Sequence, residues 1–488
     1  LNNVYSYKYN ELGNLKEEIL PSSYAKTYEY NLLNKVVKKT DGENNSTYLT
    51  YDENSNISKI IDARGNSSLF MYDSLNQRIT TVDSYNSSSS KSYDEFGNIT
   101  SVVNEEGDIL QNIYDISNNL IKKRQILNSS KVIETIYSYD NLNAVKSILD
   151  PQDNLKSYEY NIFNEAILST DALGNIVSNE YDKMGRKISS TDSKGITTEF
   201  KYDALSRLIK VIQARRTVAE VITVYTYDDV NNKTSQAIGG ITTTYEYDAL
   251  NRLLNTKVND KLVSSQTYDS LSNIVSKTDA KNNTSRYEYN GNNKLVKQTD
   301  AKGNSVTFAY DANSNLILQT TAEEVFVIQE YDKLNRLISK SVDNAKLTYI
   351  YDKASRVIQK TNFKGIISLN TYDSLGRITS KVQAQNTKEY KATNYVYDDN
   401  SNIIQIKDAN ENLTSFSYDA LNRKIKHTYP TGVYQEYSYD ENSNLKTRIK
   451  EDSTKIENFY DEMNRLIKVE VIWLHLLGQR IQSYSELK

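Results

Sequence analysis

Four short stretches carry the residue types of a cation loop: Asp52-Asn54-Asn56, Asp311-Asn313-Asn315, Asp398-Asn400-Asn402 and Asp440-Asn442-Asn444. Oxygen ligands at alternate positions form the first half of a helix–loop–helix calcium site. The second half is missing. The sixth position, where such a loop turns on glycine, holds Ile57, Leu316, Ile403 or Leu445, and only Glu451 supplies the twelfth-position glutamate. Helical periodicity does not flank any copy, so no calcium, other metal or cofactor is expected. Histidine is too scarce for a Ser-His-Asp triad or a histidine zinc site, because only His427 and His475 exist. There is no cysteine, hence no thiolate nucleophile and no disulfide. His427 occupies a strand position that comparable stretches fill with Lys or Gln, and it reads as a surface residue. No catalytic residue is assigned.

The elements that position these residues form a repeat. A tyrosine followed by Asp or Asn recurs 22 times, from Tyr9 to Tyr460, and sixteen of the 21 intervals are 21 residues long. Two intervals are 20 and three are 25. With that tyrosine as position 0, position +1 is Asp in 18 copies and position +4 is Gly, Asn or Ser in all 22. Residues of that kind tolerate left-handed backbone or bond their own backbone, which marks a tight turn. So widely repeated an aspartate reads as the acceptor of turn amides, not as a catalyst. Position +6 reopens an apolar strand, and "DARGN" from Asp62, "DALGN" from Asp171 and "DAKGN" from Asp300 mark a second turn at +11 to +15. One unit is strand, turn, strand, turn, with strands expected at −5 to 0 and +6 to +11.

Position −2 is Tyr or Phe in 14 copies and shares a face with position 0. Rings of neighbouring repeats are therefore expected to line up across the sheet. The structural tyrosines read this way are Tyr51, Tyr72, Tyr93, Tyr181, Tyr202, Tyr247, Tyr268, Tyr310, Tyr331, Tyr372, Tyr418 and Tyr439, whereas Tyr24 lies off register and should matter little. The three 25-residue repeats, at "KKRQILNSSKVIE" from Lys122, "QARRTVAEVITV" from Gln213 and "QAQNTKEYKATN" from Gln383, read as longer hairpins protruding from the sheet. Arg215-Arg216 offers charge to an acidic partner.

Phrases such as "YDALSRLIKV" from Tyr202 and "YDSLGRITSK" from Tyr372 resemble the Rhs/YD-repeat family, over nearly the whole chain. That family includes bacterial polymorphic toxins, wall-associated proteins, the cocoon subunits of insecticidal toxin complexes, and teneurins. The resemblance implies an all-β fold of tandem hairpins forming a long spiralling sheet, a hollow shell or part of one. It further implies an exported bacterial toxin or cell-surface protein whose shell encloses or presents a C-terminal toxin domain outside this chain. Carbohydrate binding or adhesion is the alternative. Physics is compatible with a spiral, since two strands per unit give a ribbon about 210 Å long, and a sheet beyond ~10 strands curls or closes. The self-cleaving aspartates of toxin-bearing members are not carried over.

Composition limits the partners. Basic and acidic residues number 59 and 63, for a net charge of −4 without like-charge blocks, so neither nucleic acid nor an anionic membrane is expected. No apolar run is long enough to span a bilayer. Only 38% of residues are apolar, which points to a thin, wet structure. The array is assigned to residues 1–470 and a degenerate or truncated repeat to 471–488, where "LHLLGQRI" resembles "YDSLNQRI" from Tyr72. The pattern opens mid-repeat at Leu1, which reads as a fragment with uncapped strand edges, so self-association is expected.

Overall fold

The computed structural model describes residues 4–128, 131–385, 387–473 and 483–487, the side chains of 128 and 483–487 excepted. Every regular element among them is a β-strand, 45 in all. Consecutive strands pair antiparallel, as Ser46–Tyr51 does with Ile57–Ile61 and then Ile57–Ile61 with Ser67–Tyr72. The first strand of a repeat ends on its tyrosine, as expected. The second usually stops at +10, where the next turn begins.

The hairpins around the first turn shift register by one residue just before the tyrosine. Thr50 faces Lys59, but Tyr51 faces Ile57. This bulge sharpens the local twist and aims the tyrosine at the turn. All 22 residues at +4 have φ between +57° and +86°, so Gly, Asn and Ser stand where a β-branched side chain would be strained. Asp52 illustrates the turn itself: its Oδ1 accepts from the amides of Asn54 at 3.0 Å and Asn56 at 2.8 Å. The second turn repeats this chemistry, with Asp62 accepting from the amides of Arg64 and Asn66.

Burial is shallow. Only eight apolar residues among those described are buried, Leu20, Leu49 and Ile133 being the large aliphatics with Ile212. Both sheet faces are half-buried along most strands, so cohesion rests on hydrogen bonding and partial burial more than on a dry core.

The longer repeats differ from one another. The first is a long hairpin, Leu120–Asn128 against Lys131–Tyr139, which does not stand free but packs on a late repeat: Ser374 Oγ donates to the Leu127 carbonyl at 3.0 Å and Lys131 pairs with Asp399. The other two fold back: Ala214 and Ala384 are buried at 2% and 7% exposure, in left-handed backbone. Arg215 forms an ion pair with Glu199, so that arginine is engaged within the chain and not extended toward a partner. His427 is likewise half-buried, stacked between Phe416 at 4.8 Å and Tyr429 at 4.1 Å. Burial and nearby Lys424 keep its imidazole below the ordinary value. Most of the 471–488 tail lies outside the described residues. Val471 and Ile472 continue the strand Leu466–Ile472, which pairs with Ser483–Leu487.

Contacts divide the chain into two compact units. One comprises Leu1–Ile109, Thr243–Asn370 and Gln383–Asn386; the other comprises Leu110–Thr242, Thr371–Val382 and Thr387–Lys488. Each unit thus brings together an early and a late stretch of repeats.

Candidate functional site

The frame between successive repeats is built on the tyrosine tip. Its hydroxyl donates to a main-chain carbonyl, usually 15 residues earlier: Tyr51 to Val36 (2.8 Å), Tyr72 to Ile57 (2.9 Å), Tyr93 to Arg78 (2.9 Å) and Tyr181 to Ala166 (3.1 Å). The same bond is made by Tyr202, Tyr268, Tyr310, Tyr418 and Tyr439. Tyr247, Tyr331 and Tyr372 end their strands at the equivalent place. Burial raises the phenols of Tyr51, Tyr181, Tyr310, Tyr331, Tyr418 and Tyr439 above their ordinary value.

What lies over these rings differs from the ring-on-ring alignment expected from sequence. Tyrosines of successive repeats are two strands apart, about 9–10 Å, beyond stacking distance. An arginine at +5 fills the space. Arg186 stands 4.9 Å from the Tyr202 ring, Arg207 5.0 Å from Tyr227, and Arg423 4.6 Å from Tyr439. The same guanidinium binds its own turn aspartate, Arg207 Nε to Asp203 at 2.7 Å, and donates through Nη1 to the Asp228 carbonyl at 2.7 Å. Where +5 is Asn, the amide makes the equivalent link: Asn56 donates to Asp52 at 3.1 Å and to Asn76 of the next repeat at 2.8 Å. The Arg186 side chain holds the Asp182 carboxyl below its ordinary value. Burial alone would raise Asp52, but hydrogen bonds from Asn56 and Asn54 outweigh it and lower that carboxyl too. The sequence signal for this ladder is Arg or Asn directly after the turn residue, which the tyrosine–aspartate period alone does not single out.

The second set of contacts joins repeats that are twelve apart. In the first unit, Asn292 Nδ2 donates to Asp41 Oδ2 and Asn313 Nδ2 to Asp62 Oδ2, both at 2.6 Å. In the second unit, Asn400 donates to Asp150 and Asn442 to Asp192, again at 2.6 Å. The rule is the same each time: a +3 asparagine in a late repeat binds the +11 aspartate of a repeat about 250 residues earlier. A reciprocal ion pair runs alongside. Arg64 Nε lies 3.4 Å from Asp311, and Lys194 Nζ lies 2.5 Å from Asp440, joining position +13 to position +1. Arg64 also donates to the Tyr331 carbonyl at 2.8 Å. Three of the four calcium-like stretches therefore act as receiving turns in these seams. Among the described residues, no cluster of three or more His, Asp or Glu side chains could hold a metal ion.

Two glycines mark how close the seam is. A Cβ on Gly42 would come within 2.4 Å of the Gly291 carbonyl oxygen, and one on Gly291 within 2.4 Å of Tyr24 Cδ1. Tyr24, read from sequence as idle, thus packs on Gly291. Pro151 shows the converse. At the seam of Gly42, that residue's amide donates to Asn292 Oδ1 at 3.0 Å. Pro151 holds the corresponding position opposite Asn400 and has no amide hydrogen, and Asn400 Oδ1 is buried without a partner.

Comparison with known proteins agrees with this architecture. A family model described as teneurin YD-shell matches residues 239–370, and one described as RHS repeat matches residues 397–434. No curated protein matches the chain. Among solved structures, the crystal structure of TcdB2-TccC3-Cdc42 is similar at a TM-score of 0.69 and 13% identity, over 99% of this chain and 30% of that one. The Photorhabdus luminescens Tc holotoxin pore gives a TM-score of 0.69 at 13% identity, over 96% of this chain and 30% of that one. The crystal structure of TcdB2-TccC3 gives 0.58 at 12% identity, over 99% and 39%. This chain spans less than half the length of each of these chains. It is an all-β tandem-hairpin protein with the fold of a toxin-complex shell. The two family models together match about a third of its repeats.

Proposed function

We propose that this chain is a wall segment of a YD-repeat shell, a non-enzymatic scaffold that encloses or presents a toxin domain carried outside these residues. The observation that carries the reading is the seam in each unit. Turns twelve repeats apart are bonded edge to edge, as successive courses of a wall must be. The carboxylates that sequence offered for chemistry are engaged in turns and seams, which supports a structural role for them. Export from a bacterial cell is part of this reading. No helix among the described residues is long and apolar enough to cross a membrane.

A protease-labile domain fused after Lys488 tests the enclosing role. Its half-life under protease should exceed that of the free domain, and an equal half-life would count against enclosure. The second reading, carbohydrate binding, has one observation in its favour. A cleft of about 570 Å³ in the first unit is lined by Tyr85, Tyr349, Tyr351 and Arg336, an aromatic and polar wall suited to a sugar ring. Glycan-array binding that is lost in Tyr85→Ala would favour this reading over the shell.

A further inference from the structure

Asn290-Gly291 is the only Asn-Gly pair in the chain, and Asp41-Gly42 is the only Asp-Gly pair. In such pairs the side-chain carbonyl lies open to attack by the following amide nitrogen, because glycine has no Cβ to hinder ring closure. The fold sets the two pairs against each other within the first unit. Asn292 Nδ2 donates to Asp41 Oδ2 at 2.6 Å, and both glycines are buried.

The nucleophile of each pair is held by the opposite turn. The Gly291 amide donates to Glu43 Oε1 at 2.6 Å, and the Gly42 amide donates to Asn292 Oδ1 at 3.0 Å. The electrophiles are held by their own turns. Asn290 Oδ1 accepts from the amides of Asn292 at 3.1 Å and Lys294 at 2.9 Å, and Asp41 Oδ1 accepts from those of Glu43 and Asn45, both at 2.9 Å. Ring closure at Asn290 requires the Gly291 nitrogen to turn away from Glu43 toward Asn290 Cγ. Tyr24 and the Gly42 carbonyl, both of which a Cβ on Gly291 would overlap, leave no room for that rotation while the seam is closed.

We propose that Asn290 is a latent deamidation site that the seam keeps inert, and that its conversion holds the seam open. When the turns part, the Gly291 nitrogen attacks Asn290 Cγ. The new N–Cγ bond closes a cyclic imide, the Cγ–Nδ2 bond breaks, and Nδ2 leaves as ammonia with the proton given up by the Gly291 nitrogen. Water then opens one of the two imide carbonyls. One opening gives an aspartyl residue, which suits a position that is Asp in 18 of 22 copies. The other gives an isoaspartyl linkage, which adds a methylene to the main chain where two backbones already touch. That product does not reseat, so the opened seam stays open.

Peptide mass spectrometry that resolves the aspartyl and isoaspartyl products at position 290, during incubation of the full chain in mildly alkaline buffer, tests the proposal. The folded wild type should convert at least about tenfold more slowly than the same chain in denaturant, because the reaction runs through an opened state. Gly42→Ala and Glu43→Ala, on the opposite turn, should each convert about tenfold faster than wild type, the rise given by a loss of about 1.4 kcal/mol in seam stability. Tyr439→Ala, in the second unit, should leave the rate unchanged, and circular dichroism would verify that the variants fold. Isoaspartyl protein should lose hydrogen-exchange protection at 41–43 and not regain it in fresh neutral buffer. Four results would each overturn the proposal: folded wild type converting as fast as the denatured chain, opposite-turn variants converting no faster than wild type, Tyr439→Ala converting as fast as Gly42→Ala, or isoaspartyl protein with protection at 41–43 intact.

Discussion

Asp52-Asn54-Asn56 and Asp311-Asn313-Asn315 are the same motif, 259 residues apart in one unit, and they end in different surroundings. Both close their own turn in the same way, with Oδ1 of the aspartate accepting amides of the third and fifth residues. Both fifth-position asparagines reach the +4 asparagine of a following repeat. Only Asn313 has Asp62 above it; Asn54 is exposed. The motif therefore encodes a turn that can receive another turn, and position in the array decides whether it does.

Four expectations break or sharpen that comparison, beginning with the largest. Tyr51→Ala and Tyr310→Ala should each cost about 2–4 kcal/mol, because both remove a half-buried ring and a hydroxyl bond to a carbonyl. The two costs should match, since the frame between successive repeats is the same at both places. Repeat arrays need not unfold in two states, so local hydrogen exchange should accompany the denaturant titration. A much larger loss at Tyr310 would mean that the seam, not the frame, holds the tyrosine.

Gly42→Ala comes next, at about 1–3 kcal/mol, through forced separation of two backbones already in contact. Exchange protection should fall around residues 290–292 as well as around 41–43. Asn313→Ala should cost about 1–2 kcal/mol by removing a hydrogen bond to a carboxylate, whereas Asn54→Ala should stay within about 0.5 kcal/mol. Equal effects would erase the distinction between the covered and open edges. Pro151→Ala, the smallest, should stabilise by up to about 1 kcal/mol. It supplies an amide toward the orphaned Asn400 Oδ1, against the loss of proline's restriction of the unfolded chain.

The pH dependence follows from the turn carboxylates and the tyrosines. The carboxyls of Asp52, Asp182 and Asp440 are held below 3.8 in the folded chain. Their stabilisation is complete above that value and is lost as pH falls through the lowered folded values. The raised phenols act in the opposite sense: stability holds below 10 and declines as pH rises through the folded values. A circular dichroism titration should show a plateau between these limits.

The frame was legible in sequence because it is local. Aspartate at +1 and a left-handed residue at +4 are read within five residues, and the period supplied the strands. The arginine at +5 was equally local but hidden by alternation with asparagine, whose shorter amide performs the same link. The seams were not legible, because nothing near Asp62 indicates that a turn 251 residues later will lie against it. Gly42 and Gly291 looked like ordinary turn residues, and only the approach of a second backbone explains them. The alternating oxygen-bearing residues from Asp311, from which no calcium site was expected, close a turn and bond Asp62.

The absence of native cysteine makes the central claim directly measurable. Asp62→Cys with Asn313→Cys, treated with a short bismaleimide at a dilution where copies do not meet, should give an intramolecular cross-link between those positions. The control pair, Asp62→Cys with Asn54→Cys, places both thiols at opposite ends of one strand and should not react within the same chain. Efficient linkage of the first pair alone is the predicted result. No linkage, or equal yields from the two pairs, would contradict a wall built from turns bonded twelve repeats apart.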